Sequence, residues 1–383
     1  MKIGLVCPYN IAKGGGVQEI VRAMQKELAV RGHVAKILTP EPREMADSYR
    51  NNDTIFVGSA ADFHSPLHTT SQFSMTNDMY SIEEMLDSEN FDVLHFHEPW
   101  VPMLSRQILS RSQCVNIATF HAKLPETMMS RTVSKVVTPY TKAVLRNLDE
   151  LTAVSEAAAE YVCSLTNAPV TIIPNGIDLS VYKTAKASTK VATKKLKTVL
   201  FIGRLERRKG VNCLLEAYGY LSDKHDDVKL VIAGDGPDRE KLEYAVRELD
   251  LPNVTFLGYV SEQEKIDLLA TSDLFCAPAL YGESFGIVLL EAMASGLVTV
   301  AGNNPGYASV LQELGSLSIV NPKDSQEFAA RMDVMLYNED LRKIWQKWAK
   351  TYVKQFSYNS IVDQYEKVYK TAHKRHATIS EMI

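Results

Sequence analysis

The stretch ESFGIVLLEAMASG, residues 283–296, brackets an apolar, glycine-bearing turn with two carboxylates, Glu283 and Glu291. Paired carboxylates often carry out acid–base hydrolysis of glycosides. A different chemistry follows if Gly286 opens a helix, because free N–H groups and the helix dipole there favour an anion. One acid then holds sugar hydroxyls and the other ribose hydroxyls, with phosphate on the backbone N–H groups between them. A helix-start acid plus a surface acid is the plainer alternative. A second charged stretch, GRLERRKG (203–210), sets Arg204 and Lys209 five residues apart at a strand–helix turn. Two fixed cations in that place suit a diphosphate, although Arg207 and Arg208 beside them also allow a solvated loop.

Three further groups carry chemical potential. GGG at 14–16 lets backbone N–H groups approach a phosphate, or forms an ordinary tight turn. It is not GxGxxG, and no acid ends the next strand to read a ribose, so a dinucleotide site is not expected. His95 and His97 in HFHE share one face of a strand, the one pattern that hints at a metal. No convincing third ligand accompanies them, which leaves structural or acceptor-side roles. His121 ends the strand-like VNIATFH.

These residues must be held by regular elements. Strand-like runs alternate with helical ones: IGLVC, then a glycine turn, then VQEIVRAMQKELAVRG with Val17, Ile20, Val21, Met24 and Leu28 at helical spacing. VAKILT, TIFVG, FDVLHFH, VNIATFH and ELTAVS continue the series to VTIIPNGI. The pattern restarts at TVLFIG (198–203) and runs through VKLVIAG, VTFLG, DLFCAP, LVTVAG and SLSIV (316–320), with helices at 324–356 and 358–375 closing the chain. This is βαβ alternation, expected to give parallel sheets covered on both faces. A length of 383 residues accommodates two such domains, joined near residue 170. Ligands of open α/β sheets bind at the carboxyl ends of the strands, here in a cleft between the domains.

Composition excludes several classes. The net charge of −4 argues against bulk nucleic-acid binding. The cysteines, five in all, are odd in number and never form a CxxC pair, which reads as reduced thiols in a cytosolic compartment. No apolar run approaches the roughly 20 residues of a membrane span, and the apolar start before Pro8 is too short for a signal peptide.

The set GGVQ, DVLHFHEP, ATFH, AVSEAA, IPNGID, FIGRLERRKG and ESFGIVLLEAMASG resembles the family 4 glycosyltransferases of the GT-B fold, and within them the bacterial phosphatidylinositol mannosyltransferases. The resemblance spans nearly the whole chain. It implies two doubly wound, Rossmann-like parallel-sheet domains facing an interdomain cleft: an acceptor-binding domain over 1–169, onto which a C-terminal helix at 358–383 packs back, and a donor-binding domain over 170–357. It implies a nucleotide-sugar donor, transfer with retention, and neither cofactor nor metal. The chain has no Asp-x-Asp, the metal–diphosphate signature of the other major transferase fold.

Carried over residue by residue, Gly15 and Gly16 contact phosphate or sugar through their backbone, and Arg204 and Lys209 neutralise the diphosphate. Glu283 holds the donor sugar, Phe285, Gly286 and Ile287 offer backbone N–H groups, and Glu291 binds the ribose. His121 sits beside the reacting sugar. Val260 and Glu262 border the base; a carboxylate there pairs with guanine N1–H and N2–H but poorly with uracil O4, which favours GDP-mannose over UDP-glucose. Tyr9, Gln18, Trp100 and Lys123 lie at the acceptor end. The chain departs from the phosphatidylinositol enzymes at Lys13, Trp100 and Ala122, where an acid, Asn and Thr are usual, and so lacks polar groups that would read an inositol ring.

The expected acceptor is nonetheless a lipid hydroxyl, reached from the cytoplasm by peripheral contact with the anionic inner face of the cell membrane. The region corresponding to the family's basic amphipathic helix, 63–90, has no Lys or Arg. The segment 121–148 combines basic and apolar residues and is the candidate contact, with the Lys-rich 183–197 as a possible aid. The alternatives are a UDP-glucose-dependent transferase acting on a diacylglycerol-type lipid or a soluble sugar, a nucleotide-sugar epimerase on the same fold, and a non-catalytic sugar-nucleotide binder.

Overall fold

The computed structural model describes residues 1–12, 14–42, 52–64, 70–75, 78–101, 103–123, 138–183 and 196–382. Lys13, the middle of the 121–148 segment and most of 183–197 lie outside the described residues. The chain divides into two units, Met1–Gly176 with Tyr358–Ile383, and Ile177–Ser357.

The strands of the first unit are β1 (Lys2–Val6), β2 (Val34–Glu41), β3 (Thr54–His64), β4 (Thr70–Met75), β5 (Val93–His97), β6 (Val115–Phe120), β7 (Glu150–Ala153) and β8 (Val170–Ile172). They form one sheet in the order β4-β3-β2-β1-β5-β6-β7-β8. Because β8 closes this sheet, the division falls after Gly176 rather than at 169. The pairs are parallel except at the edge. There β4 runs antiparallel to β3, from Ser59↔Met75 to His64↔Thr70, so the sheet is not parallel throughout. Residues 63–90 thus carry the end of β3, all of β4 and the helix Met79–Glu89. Every residue of β5 and β6 is buried, as covered parallel strands require.

The second unit holds β9 (Lys197–Ile202), β10 (Val228–Ala233), β11 (Val254–Gly258), β12 (Leu274–Ala277), β13 (Thr299–Gly302) and β14 (Ile319–Val320), ordered β11-β10-β9-β12-β13-β14 and all parallel. Only the last two residues of SLSIV pair as a strand; Glu313–Ser318 turns as a 3₁₀ helix. The expected helix over 324–356 is two, Ser325–Tyr337 and Glu339–Tyr352, because the Asn338 side chain accepts from Leu341 N and starts a new helix.

Each sheet reverses its strand order once, at β1/β5 and at β9/β12. The carboxyl ends of strands at such switch points are where open α/β sheets bind ligands. In the first unit those ends lead to Tyr9 and His97, and in the second to Arg204 and the approach to Glu283.

Helix Tyr358–Met382 belongs to the first unit. Arg31 binds Asp363 at 2.6 Å and His33 meets Glu366 at 3.1 Å. Inside, the Tyr369 hydroxyl meets His95 Nδ1 at 2.7 Å, and the Tyr365 hydroxyl meets Thr119 Oγ1 at 3.1 Å.

Candidate active site

After β9 the chain turns through Gly203–Glu206 into a 3₁₀ turn, Arg207–Lys209, before helix Val211–Lys224. Lys209 therefore precedes the helix rather than starting it. Gly210 follows at φ +68°, and a Cβ there would lie 2.2 Å from Pro278 O. Only glycine lets this loop press so closely on the exit of β12. Leu280 N donates to Arg208 O at 2.8 Å across the same contact. The contact brings two cations onto one acid. Lys209 Nζ lies 2.7 Å and Arg208 Nη1 2.5 Å from Glu283 Oε1, while Arg208 Nε pairs with Glu206 at 2.6 Å. Arg204 is exposed and makes no ion pair among the described residues.

Helix Ile287–Ala294 begins four residues after Glu283, with Gly286 as its N-cap at φ 113°. Phe285 is buried and meets Phe356 edge to face, and Tyr307 packs under Gly286. The helix N-terminus thus adds its partial positive charge beside Lys209 and Arg208. Glu291 is buried rather than a surface acid; Lys265 Nζ binds it at 2.7 Å and reaches the exposed Glu262 at 2.8 Å. Burial opposes the Lys265 charge, but Glu291 and Glu262 outweigh it and hold the ammonium above its ordinary range. Val260 is half-buried just before the capping box that Ser261 and Glu264 form at the start of helix Glu262–Thr271.

In the first unit, helix Gly16–Val30 starts at the glycine loop, and the Gln18 carboxamide folds back to where a Gly15 side chain would stand. His97 Nδ1 and His121 Nε2 share a 2.9 Å hydrogen bond between buried residues. Next to His97, Glu98 is buried at φ 50° and its Oε1 accepts from His121 N and Ala122 N. Burial pushes the Glu98 carboxyl up to about 8 despite these bonds, and Glu98 in turn helps to raise Tyr9. Burial drives His121 down to about 4, His95 to about 3 and His97 well below its ordinary value. Trp100 is buried against Phe120 and Tyr161. Lys123 pairs with Glu160 at 3.0 Å. His95 spends both nitrogens on Tyr369 and Thr119, and no cluster suited to a metal ion occurs among the described residues.

Two family descriptions match this chain one after the other: "Glycosyltransferase Family 4" over residues 14–181 and "Glycosyl transferases group 1" over 183–352. The phosphatidyl-myo-inositol mannosyltransferase of Mycobacterium tuberculosis is 31% identical over 382 residues, covering 97% of each chain. The chain belongs to glycosyltransferase family 4. An uncharacterized glycosyltransferase of Methanocaldococcus jannaschii is 26% identical over 397 residues, covering 97% of this chain and 98% of its own. Among solved structures, a glycosyltransferase from Rickettsia africae superposes with a TM-score of 0.77 at 19% identity, covering 97% and 98% of the two chains. Anabaena HepE in complex with UDP-glucose gives 0.74 at 18%, covering 97% and 100%. The glycosyltransferase thus has the GT-B fold, and no helix among its described residues is long and apolar enough to cross a membrane.

Three residues of this candidate site, Arg208, Glu98 and Lys265, are not marked as such by local sequence. In sequence Arg208 stands beside Arg207 in a stretch that also allows a solvated loop. In a 3₁₀ turn successive side chains differ by about 120°, so neighbours need not share a surroundings, and Arg208 falls on Glu283 while Arg207 stays exposed. Glu98 was visible only as part of the HEP run; its buried carboxyl depends on the approach of the β6 exit, a long-range contact. Lys265, three residues after Glu262, carried a helix-spacing signal for that pair but none for Glu291.

Proposed function

We propose that the enzyme transfers a mannosyl residue from GDP-mannose, with retention, to a hydroxyl of a phosphatidylinositol-like lipid. The observation that carries the reading is the gathering of Lys209 and Arg208 on Glu283 at the start of helix Ile287–Ala294. The similarity to mycobacterial phosphatidyl-myo-inositol mannosyltransferases over 97% of the chain supports the choice of sugar and acceptor.

Cleavage of the sugar–phosphate bond puts positive charge on the sugar and negative charge on the diphosphate. Lys209, Arg208, Arg204 and the backbone N–H groups of Phe285, Gly286 and Ile287 meet the negative charge, already oriented before reaction. This side-chain and dipole charge serves in place of a metal ion. Glu283 orients the sugar hydroxyls, Glu291 the ribose, and Val260 with Glu262 the guanine edge. Gly15 and Gly16 face the donor through their backbone, and His121 lies by the sugar. Tyr9, Gln18, Trp100 and Lys123 border the acceptor, Trp100 through its neighbours since its own ring is buried. The acceptor oxygen bonds to the anomeric carbon on the face that the phosphate leaves, and the departing phosphate oxygen takes the acceptor proton.

A thermal-shift panel of GDP, UDP and ADP tests the donor. GDP at 100 times its Kd adds about 2.7 kcal/mol, on the order of 5–10 °C for a unit of this size, and UDP adds little. Stabilisation by UDP alone moves the assignment to UDP-glucose. Proton NMR of the product reports the anomer, and a β-mannoside would end the retention assignment.

The enzyme reaches its lipid by peripheral contact with the anionic inner face of the cell membrane. Co-sedimentation should occur with anionic vesicles at low salt, and weaken with neutral vesicles or high salt. A protein that stays in the supernatant throughout points instead to a soluble acceptor.

A further inference from the structure

The loop that carries Glu283 is held on two flanks. On one lies the Arg207–Gly210 turn, where Leu280 N donates to Arg208 O. On the other lies the exit of β13, GNNPGY over 302–307, because β13 runs parallel beside β12 and both leave the sheet at the same end. The Asn304 side chain bonds in two directions there. Its Nδ2 donates to Ala279 O at 3.0 Å, on the exit of β12. Its Oδ1 accepts from Tyr307 N at 3.0 Å and so caps helix Pro305–Val310. One buried carboxamide thus ties the β12 exit to the start of that helix.

Gly306, in the first turn of the helix, is buried against the Glu283 peptide. A Cβ here would lie 2.2 Å from Glu283 O and 2.6 Å from Glu283 C. The φ of Gly306 is not positive, so its backbone suits any residue, and what glycine supplies is room alone. Alanine is the better helix former, so nothing within the helix favours glycine. The next residue, Tyr307, packs its ring on Gly286, where a Cβ would lie 2.6 Å from the ring. Two consecutive residues therefore seat both Glu283 and the N-cap of helix Ile287–Ala294.

We infer that Gly306 and Asn304 are positioning residues of the donor site: Gly306 sets where the Glu283 peptide stands, and Asn304 holds the helix bearing Gly306 against the β12 exit. The inference rests on the proposed hold of Glu283 on the donor sugar. It gives the 302–307 segment a part in orienting the sugar and none in binding the nucleotide, whose cations stand on the opposite flank. Cβ contacts below 3.0 Å essentially do not occur, so a side chain at 306 must push the Glu283 peptide away by about 1 Å.

Gly306→Ala should lower kcat with GDP-mannose about 10²-fold, the usual effect of such a misplacement, and leave the Kd of GDP, which has no sugar, at the parental value. Asn304→Ser keeps the capping acceptor and drops the bond to Ala279 O. It should lower kcat about tenfold with GDP binding again held, and it reads the inference if Gly306→Ala fails to fold. In a Glu283→Ala background no carboxylate is left to misplace, so Gly306→Ala should cost far less than in the parent. The same comparison with UDP-glucose and UDP serves if the nucleotide panel selects uridine, so the base assignment can fall without this inference. Parental kinetics in Glu283→Ala remove the sugar role of Glu283 and this inference with it. An impaired Glu283→Ala beside parental kcat in Gly306→Ala and Asn304→Ser overturns this inference alone. GDP binding lost in step with kcat, or full additivity with Glu283→Ala, also overturns it, since either marks a general structural role.

Discussion

Lys209→Ala should lower turnover at saturating donor by about 10²–10³, the usual effect of removing one preorganised charge from a transition state. Lys209 sits 2.7 Å from Glu283 at a helix start, on a loop that Gly210 presses against the exit of β12. Its position is therefore set before any substrate arrives, and little of its stabilisation goes to reorganisation. Arg204→Ala should lose a comparable factor through the diphosphate, expressed more in KM because its exposed side chain must first be ordered. Arg208→Ala should cost less, since Lys209 still neutralises Glu283. Lys209 and Glu283 touch, so their substitutions should not add: Lys209→Ala in a Glu283→Gln background should cost less than in the parent. Near-parental turnover in both Lys209→Ala and Arg204→Ala would remove the diphosphate role from this loop.

The melting temperature should peak near pH 6.5 and fall on both sides. His95, His97 and His121 stay neutral in the folded protein well below 6.5, the value the unfolded chain has. As pH falls below 6.5 the unfolded chain takes up protons at these three positions, and folded stability is lost. Glu98 acts oppositely: its carboxyl stays protonated when folded up to about 8 and ionises near 4.5 when unfolded, so it costs stability as pH rises between those values. From these groups, three protons favour the unfolded side and one the folded side below 6.5, a net of two. The limiting slope is about 2.7 kcal/mol per pH unit, or roughly 5–10 °C per unit for a domain of this size. Above 6.5 the histidine contribution fades and Glu98 alone gives a shallower decline. Melting curves from pH 5 to 8.5 check both limbs, and Glu98→Gln should flatten the alkaline one. An acid limb with no slope would mean that these rings are not buried and neutral.

The parts of this protein that sequence shows plainly are those written in local pattern. Continuous apolar runs such as LVIA in β10 mark strands covered on both faces, and the Glu283–Gly286–Glu291 spacing marks a helix start carrying charge. What stayed hidden depends on pairing between distant segments. That β4 runs antiparallel on an edge follows from its register against β3, which no local pattern specifies. Lys265 meets Glu291, 26 residues further on in sequence, only because the fold brings those two side chains together. The burial of Glu98 and its place under His121 arise where β5 and β6 end together. Even the split of the expected 324–356 helix turns on whether Asn338 bonds the following backbone or solvent.

Helix Tyr358–Met382 completes the first unit although the whole second unit is translated before it. A growing chain therefore makes β1 to β8 early and must wait some 180 residues for the segment that covers them. Until then Thr119 and His95 lack the tyrosine hydroxyls they meet in the finished protein, and apolar surface around β6 stays open. The second unit, whose ends pair where Ile177 N donates to Phe356 O at 2.8 Å, is complete in sequence before that helix is made. Vectorial synthesis and structural order are thus inverted: the unit begun first is the one finished last, and during that interval it is the natural client of a chaperone.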